Sequence, residues 1–128
     1  MKHHVLVLDD EAEVRAAVRL QLKDTRFEIL EAENAQQAID LLADNAITVD
    51  VIICDVRMPG ISGVEAVAYF QRKYPSTPVI VLTGFPDTAL AVDFMKKKDV
   101  VDYLTKPVEK ERLIAAVENA AKGRKLFE

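Results

Sequence analysis

Val49-Asp50-Val51-Ile52-Ile53-Cys54, an apolar run closed by Asp55, lies near the middle of the 128-residue chain. A run so continuous and so rich in β-branched residues suits a strand buried on both faces, as in a parallel sheet. Two more runs have the same character: His4-Val5-Leu6-Val7-Leu8 and Val79-Ile80-Val81-Leu82. Two others, Phe27-Glu28-Ile29-Leu30-Glu31 and Val101-Asp102-Tyr103-Leu104, are broken by charges and are predicted to be edge strands.

Helical patterns fill the gaps. Val14, Ala17, Val18 and Leu22 recur at helical spacing, with Arg15, Arg19 and Lys23 predicted to face outward. Asn34 is a good N-cap for a helix through Ala38, Ile39, Leu41 and Leu42. Ser62-Gly63-Val64-Glu65 fits a capping box ahead of Val67, Ala68 and Phe70. Asp87 suits the start of a helix through Leu90, Ala91, Phe94 and Met95, and Glu109 the start of one through Leu113, Ile114, Ala116 and Val117 that stops near Gly123. Strand and helix thus alternate five times. That order predicts a single α/β (βα)5 unit, a doubly wound parallel sheet with right-handed crossovers and helices on both faces. Residues 1–122 are read as this domain and 123–128 as a C-terminal tail or the start of a linker.

Composition narrows the function. Half the residues are apolar and 30% are charged, the profile of a globular protein with one core. The net charge of −4 and the pI near 5.2 speak against direct nucleic-acid binding, which needs a basic surface. A single cysteine, Cys54, excludes an internal disulfide framework and fits a reducing compartment. No apolar run reaches bilayer length, so no membrane association and a cytoplasmic location are expected. Cys54 reads as a buried, inert thiol, and His3 and His4 are assigned no chemistry.

In an open parallel sheet, function collects outside the carboxyl ends of the strands. The first strand ends in Asp9-Asp10, the third in Asp55, the fourth in Thr83 and the fifth in Thr105-Lys106-Pro107. Three carboxylates, a hydroxyl and an ammonium are therefore predicted to converge on one rim. Ionised carboxylates that close repel one another unless a cation joins them. Oxygen donors without His or Cys favour Mg²⁺, and Mn²⁺ would suit the same donors. Mg²⁺ uses one or two carboxylates and leaves another free as a nucleophile, and carboxylates do form acyl phosphates. Taken singly, each feature has a plainer reading. Asp9-Asp10-Glu11 would cap a helix, Asp55 with Pro59-Gly60 would make a turn, and Lys106-Pro107 would start a helix.

Taken together, Asp9-Asp10, Asp55-Val56-Arg57-Met58-Pro59-Gly60 with Gly63, Thr83-Gly84 and Tyr103-Leu104-Thr105-Lys106-Pro107 resemble a receiver domain of the response-regulator family, the partners of sensor histidine kinases. The resemblance covers essentially the whole chain. It implies the flavodoxin-like strand order 2-1-3-4-5, which spacing alone does not give. It also implies roles. Asp55 corresponds to the phosphoacceptor and also to a metal ligand, and Lys106 to the lysine that pairs with the phosphate. Asp10 corresponds to a direct metal ligand, Asp9 to one acting through water, and the Arg57 backbone carbonyl to another protein ligand. Thr83 and Tyr103 correspond to the switch pair, and Lys106–Pro107 to a cis peptide bond. The implied partners are a sensor histidine kinase or phosphotransfer protein and an output domain or effector.

Two departures stand out. The family usually has Gly-Ala between the fourth helix and fifth strand; here Lys96-Lys97-Lys98-Asp99-Val100-Val101 has no glycine and one extra residue. That face is where many relatives dimerise, so a homodimer on phosphorylation is compatible with the resemblance but no dimer mode is carried over. By the resemblance Arg57 and Phe85 would flank the path of a hydrolytic water and are expected to slow loss of the phosphoryl group; the plainer reading of Arg57 is a solvated loop residue. Competing functions fit less well. A haloacid-dehalogenase-type phosphohydrolase places its nucleophile in Asp-x-Asp after the first strand, and Asp9-Asp10 lacks that spacing. A flavin carrier needs a glycine- and hydroxyl-rich loop where this chain has acids. A receiver-like module that only docks and is never phosphorylated is opposed by the intact acid, threonine and lysine set.

Overall fold

The computed structural model describes residues 3–56, 63–84 and 100–123. Five strands, β1 (His3–Leu8), β2 (Phe27–Ala32), β3 (Val49–Cys54), β4 (Val79–Thr83) and β5 (Val100–Thr105), form one parallel sheet in the order β2-β1-β3-β4-β5. The charged runs are indeed the two edges. Among the described residues the helices are α1 (Ala12–Gln21), α2 (Ala35–Asn45), α3 (Gly63–Lys73) and, after β5, α4 (Lys110–Lys122). The Ser62 cap, the helix expected from Asp87, the Lys96-Lys97-Lys98 run and residues 124–128 lie outside the described residues.

The central runs are continuous because each strand face has its own layer. Successive side chains on a strand point to opposite faces. Leu6, Leu8, Ile52, Cys54, Val79 and Val81 therefore pack with Ala38 and Leu42 of α2 and Phe70 of α3. Val5, Val7, Val51, Ile53, Ile80 and Leu82 pack on the other side with Val18 and Leu22, and with Leu113 and Val117 of α4. Asn34 caps α2 as expected, its side chain accepting from the Gln37 N–H at 2.9 Å. Glu109 occupies the N-cap of α4 without a side-chain cap bond, and Gly123 is its C-cap.

Two details of α1 correct the sequence reading. Ala17 is exposed, although the helical pattern placed it on the core face. Arg15 does not face outward: its side chain is only 13% exposed and is drawn back onto the sheet by two acceptors, one on β2 and one after β1. Arg19 and Lys23 are exposed as expected. In β5 the register shifts between Val79↔Val100 and Ile80↔Asp102, so that strand carries one more residue than β4 across the step.

Candidate functional site

The backbone ladder continues past the strand ends and fixes where the polar residues emerge. The Asp9 N–H donates to the Ala32 carbonyl at 3.0 Å, and the Asp55 N–H to the Leu8 carbonyl at 2.9 Å. The Lys106 N–H donates to the Thr83 carbonyl at 2.9 Å. Because Leu8 is in register with Cys54, the residues that follow them leave the sheet side by side.

Their side chains meet. Lys106 Nζ lies 2.7 Å from Asp9 Oδ2, 3.1 Å from Asp55 Oδ2 and 3.4 Å from Glu11 Oε1. Asp9, Asp10, Glu11 and Asp55 each present a carboxylate oxygen, all within 4.8 Å of one another. Asp9 and Asp55 are buried, Asp10 and Glu11 exposed, so the cluster opens to solvent on one side. Among the described residues, three of the four carboxylates thus share one ammonium.

The electrostatics follow from that imbalance. Burial pushes the Asp9 carboxyl above its ordinary value, against the hydrogen bonds from Lys106 and the Glu11 N–H. Burial alone would lower the Lys106 ammonium, but its bonds to Asp9 and then Asp55 hold it above the ordinary lysine value. Lys106 is therefore charged at neutral pH, one ammonium beside a cluster of four carboxyl groups among the described residues. Cys54 is the inert thiol expected: burial first, and then the charges of Asp55 and Asp9, push it far up and keep it protonated.

Of the other candidates, Thr83 is fully buried at the end of β4, in register with Thr105. Tyr103 lies two residues before Thr105, half-buried, with its ring packed on the layer that faces α2 and α3. The Lys106–Pro107 bond is cis. Arg57 and Phe85 lie outside the described residues. A cleft of about 480 Å³, lined by Glu11, Val14, Ala17, Gly84, Lys106 and Pro107, runs from the acidic cluster along α1.

Sequence pattern alone assigns Glu11 to a helix cap and gives Arg15 and Glu31 no functional role. The structure brings Glu11 into the carboxylate cluster and ties Arg15 to its edge. One signal was present: Arg15 and Arg19 are spaced four apart, on one side of a helix that precedes a strand bearing Glu31.

Residues 5–118 match the family model described as response regulator receiver domain. The chain belongs to that family. This receiver is 34% identical over 119 residues to the transcriptional regulatory protein FixJ of Bradyrhizobium diazoefficiens, a match covering 93% of this chain and 57% of FixJ. It is 33% identical to the chemotaxis protein CheY of Listeria monocytogenes, covering 92% of this chain and 98% of CheY. The crystal structure of a response regulator receiver domain protein from Clostridium thermocellum superposes with a TM-score of 0.85 at 31% identity, covering 94% of both chains. The receiver spans little more than half of FixJ and 31% of a cyclic di-GMP phosphodiesterase from Thermotoga maritima. Some relatives thus carry a receiver as one part of a longer protein, and in others it is nearly the whole. No helix among the described residues is long and apolar enough to cross a membrane.

Proposed function

We propose that this receiver accepts a phosphoryl group on Asp55 from a sensor histidine kinase or phosphotransfer protein, in a Mg²⁺-dependent reaction. The resulting change in Thr83 and Tyr103 would then act on an output domain or effector. The observation that carries the reading is the position of Lys106 Nζ, 2.7 Å from Asp9 and 3.1 Å from Asp55 in a cluster of four carboxylates.

The donor set fits the metal. Hard carboxylate oxygens from two strand ends, with no His or Cys among them, suit Mg²⁺. Asp9, Asp10 and Asp55 are the residues that would hold it, Asp55 being also the acceptor. When bound, the ion neutralises charge on the oxygens of the transferring group.

The chain supplies the rest. An Asp55 carboxylate oxygen attacks phosphorus, the bond from phosphorus to the donor imidazole nitrogen breaks, and an acyl phosphate forms. The transferred group carries its negative charge into a site where Lys106 already stands as the counter-charge, fixed by the Thr83–Lys106 backbone bond. The Thr83 hydroxyl, at the same strand end, is the donor for a phosphoryl oxygen. Its movement toward that oxygen favours the arrangement in which Tyr103 turns inward, so phosphorylation shifts an existing equilibrium. The domain catalyses its own transfer and its own reset and is a switch rather than a turnover enzyme.

The test is intact mass after incubation with acetyl phosphate and Mg²⁺. One phosphoryl group is expected on the wild type, and none on Asp55→Asn or on wild type pretreated with a chelator. Full labelling of Asp55→Asn would reject Asp55 as the acceptor. A wild type that takes up no phosphate under these conditions would favour a docking role.

A further inference from the structure

The peptide that joins Asp9 to Asp10 decides where both acids point, and it is held from two sides. Its strand-side neighbour, the Asp9 N–H, is bonded to the Ala32 carbonyl of β2 at 3.0 Å. Its own carbonyl accepts from Arg15 Nη1 at 2.6 Å. The Asp9 carboxylate is steadied in turn by the Glu11 N–H, 2.9 Å from Oδ1. Arg15 touches no carboxylate of the cluster. It reaches the loop's backbone and leaves the acid oxygens for Lys106 and a cation.

Arg15 is itself oriented. Its Nε donates to Glu31 Oε1 at 3.1 Å, while Arg19 Nε donates to the other oxygen, Oε2, at 2.9 Å. Arg19 Nη2 also reaches the Ile29 carbonyl at 3.3 Å. Burial alone would raise the Glu31 carboxyl, but the bonds from Arg19 and Arg15 hold it below its ordinary value. The planar guanidinium thus bridges a β2 carboxylate and the Asp9 carbonyl with two differently directed N–H groups, which an ammonium cannot reproduce. Glu31 has a second consequence: it neutralises Arg15, so the guanidinium does not repel a divalent cation held by the adjacent acids.

We propose that Arg15, oriented by Glu31, is a positioning residue for the metal-binding acids, setting the affinity of the Asp9–Asp10 loop for Mg²⁺ without touching the ion. The inference rests on the metal reading given above. Groups that orient metal ligands from behind typically govern affinity by about 10-fold or more.

The test uses the full chain and Mg²⁺ alone, followed by amide chemical shifts, in wild type, Arg15→Ala, Arg15→Lys, Glu31→Gln and the Arg15→Ala/Glu31→Gln pair. Arg15→Ala is expected to weaken Mg²⁺ binding about 10-fold and to speed hydrogen exchange at the Glu11 amide. Arg15→Lys recovers only part of the loss. Glu31→Gln weakens binding too, and the double variant is no worse than Arg15→Ala alone, because the two residues act as one unit. Arg15→Lys, which keeps the charge and most of the packing, keeps the test open if Arg15→Ala does not fold. Folded variants that bind Mg²⁺ as the wild type does would overturn the inference and leave the metal reading intact. A wild type that binds no Mg²⁺ would overturn the metal reading, and this inference with it.

Discussion

The two rims of the sheet are both polar, but they are built differently. At the amino-end rim each histidine meets its own acid. His3 Nδ1 lies 2.6 Å from Asp50 Oδ2, while His4 lies 2.8 Å from the Thr48 hydroxyl and 3.3 Å from Glu28. At the carboxyl-end rim four carboxylates cluster, and among the described residues three of them share one ammonium. Register explains the contrast. At the amino end the pairing slips between His4↔Val49 and Val5↔Val51, so that β3 carries one more residue, Asp50, than β1 across the step. At the carboxyl end β1 and β3 run out in register, so Asp9 and Asp55 emerge together and like charges are forced into one site. Each histidine at the amino-end rim is matched by a nearby acid. A crowded set, with more carboxylates than ammonium groups among the described residues, is suited to bind a cation and an anion together.

The widest separation between the rims is expected from Lys106→Ala. It strands two buried carboxylates without their ammonium and should cost about 3 kcal/mol by denaturant unfolding in the absence of divalent ions. Part of that loss should return on adding Mg²⁺. A cost below about 1 kcal/mol would put the crowded rim in the same class as a surface pair.

The matching change on the other rim is smaller. His3→Ala removes one partly exposed pair and should cost less than about 1 kcal/mol, with no Mg²⁺ dependence. A Mg²⁺-dependent effect there would blur the distinction between the rims. The smallest effect expected is in pH dependence. Glu31 has a lowered folded-state pKa, so its contribution is present above the ordinary carboxylate value of 4.5 and is lost as pH falls through the folded value. Glu31→Gln should therefore flatten the acid limb of the stability curve below pH 4.5 and leave its alkaline limb unchanged. On the alkaline side Lys106 works in the opposite sense: its raised pKa gives stability that holds through neutral pH and is lost only above the ordinary value of 10.5.

The strands were legible because two-sided burial writes itself as unbroken apolar runs, as in Val51-Ile52-Ile53-Cys54, and the edges because charges interrupt Phe27–Glu31 and Val101–Leu104. The convergence of Asp9, Asp55 and Lys106 could be foreseen because a parallel sheet sends all its carboxyl ends to one rim. What helical spacing could not show was where a long side chain turns. Arg15 sits where the pattern predicts solvent, yet its flexible stem folds back to the Asp9 carbonyl. Ala17 fits the apolar stripe, but it is exposed and lines the cleft along α1. The partners of His3 and His4 depend on a register slip that no sequence pattern announces.

The central claim is that phosphoryl chemistry occurs at Asp55 of the crowded rim, not at its neighbouring acids and not on the paired rim. The direct measurement is to locate the group: treat the protein with acetyl phosphate and Mg²⁺, reduce with borohydride, which converts an acyl-phosphorylated aspartate to homoserine, and map the peptides. Conversion at position 55 alone is the expected result. Modification at Asp9, Asp10 or Glu11, or phosphate retained on His3 or His4, would contradict it.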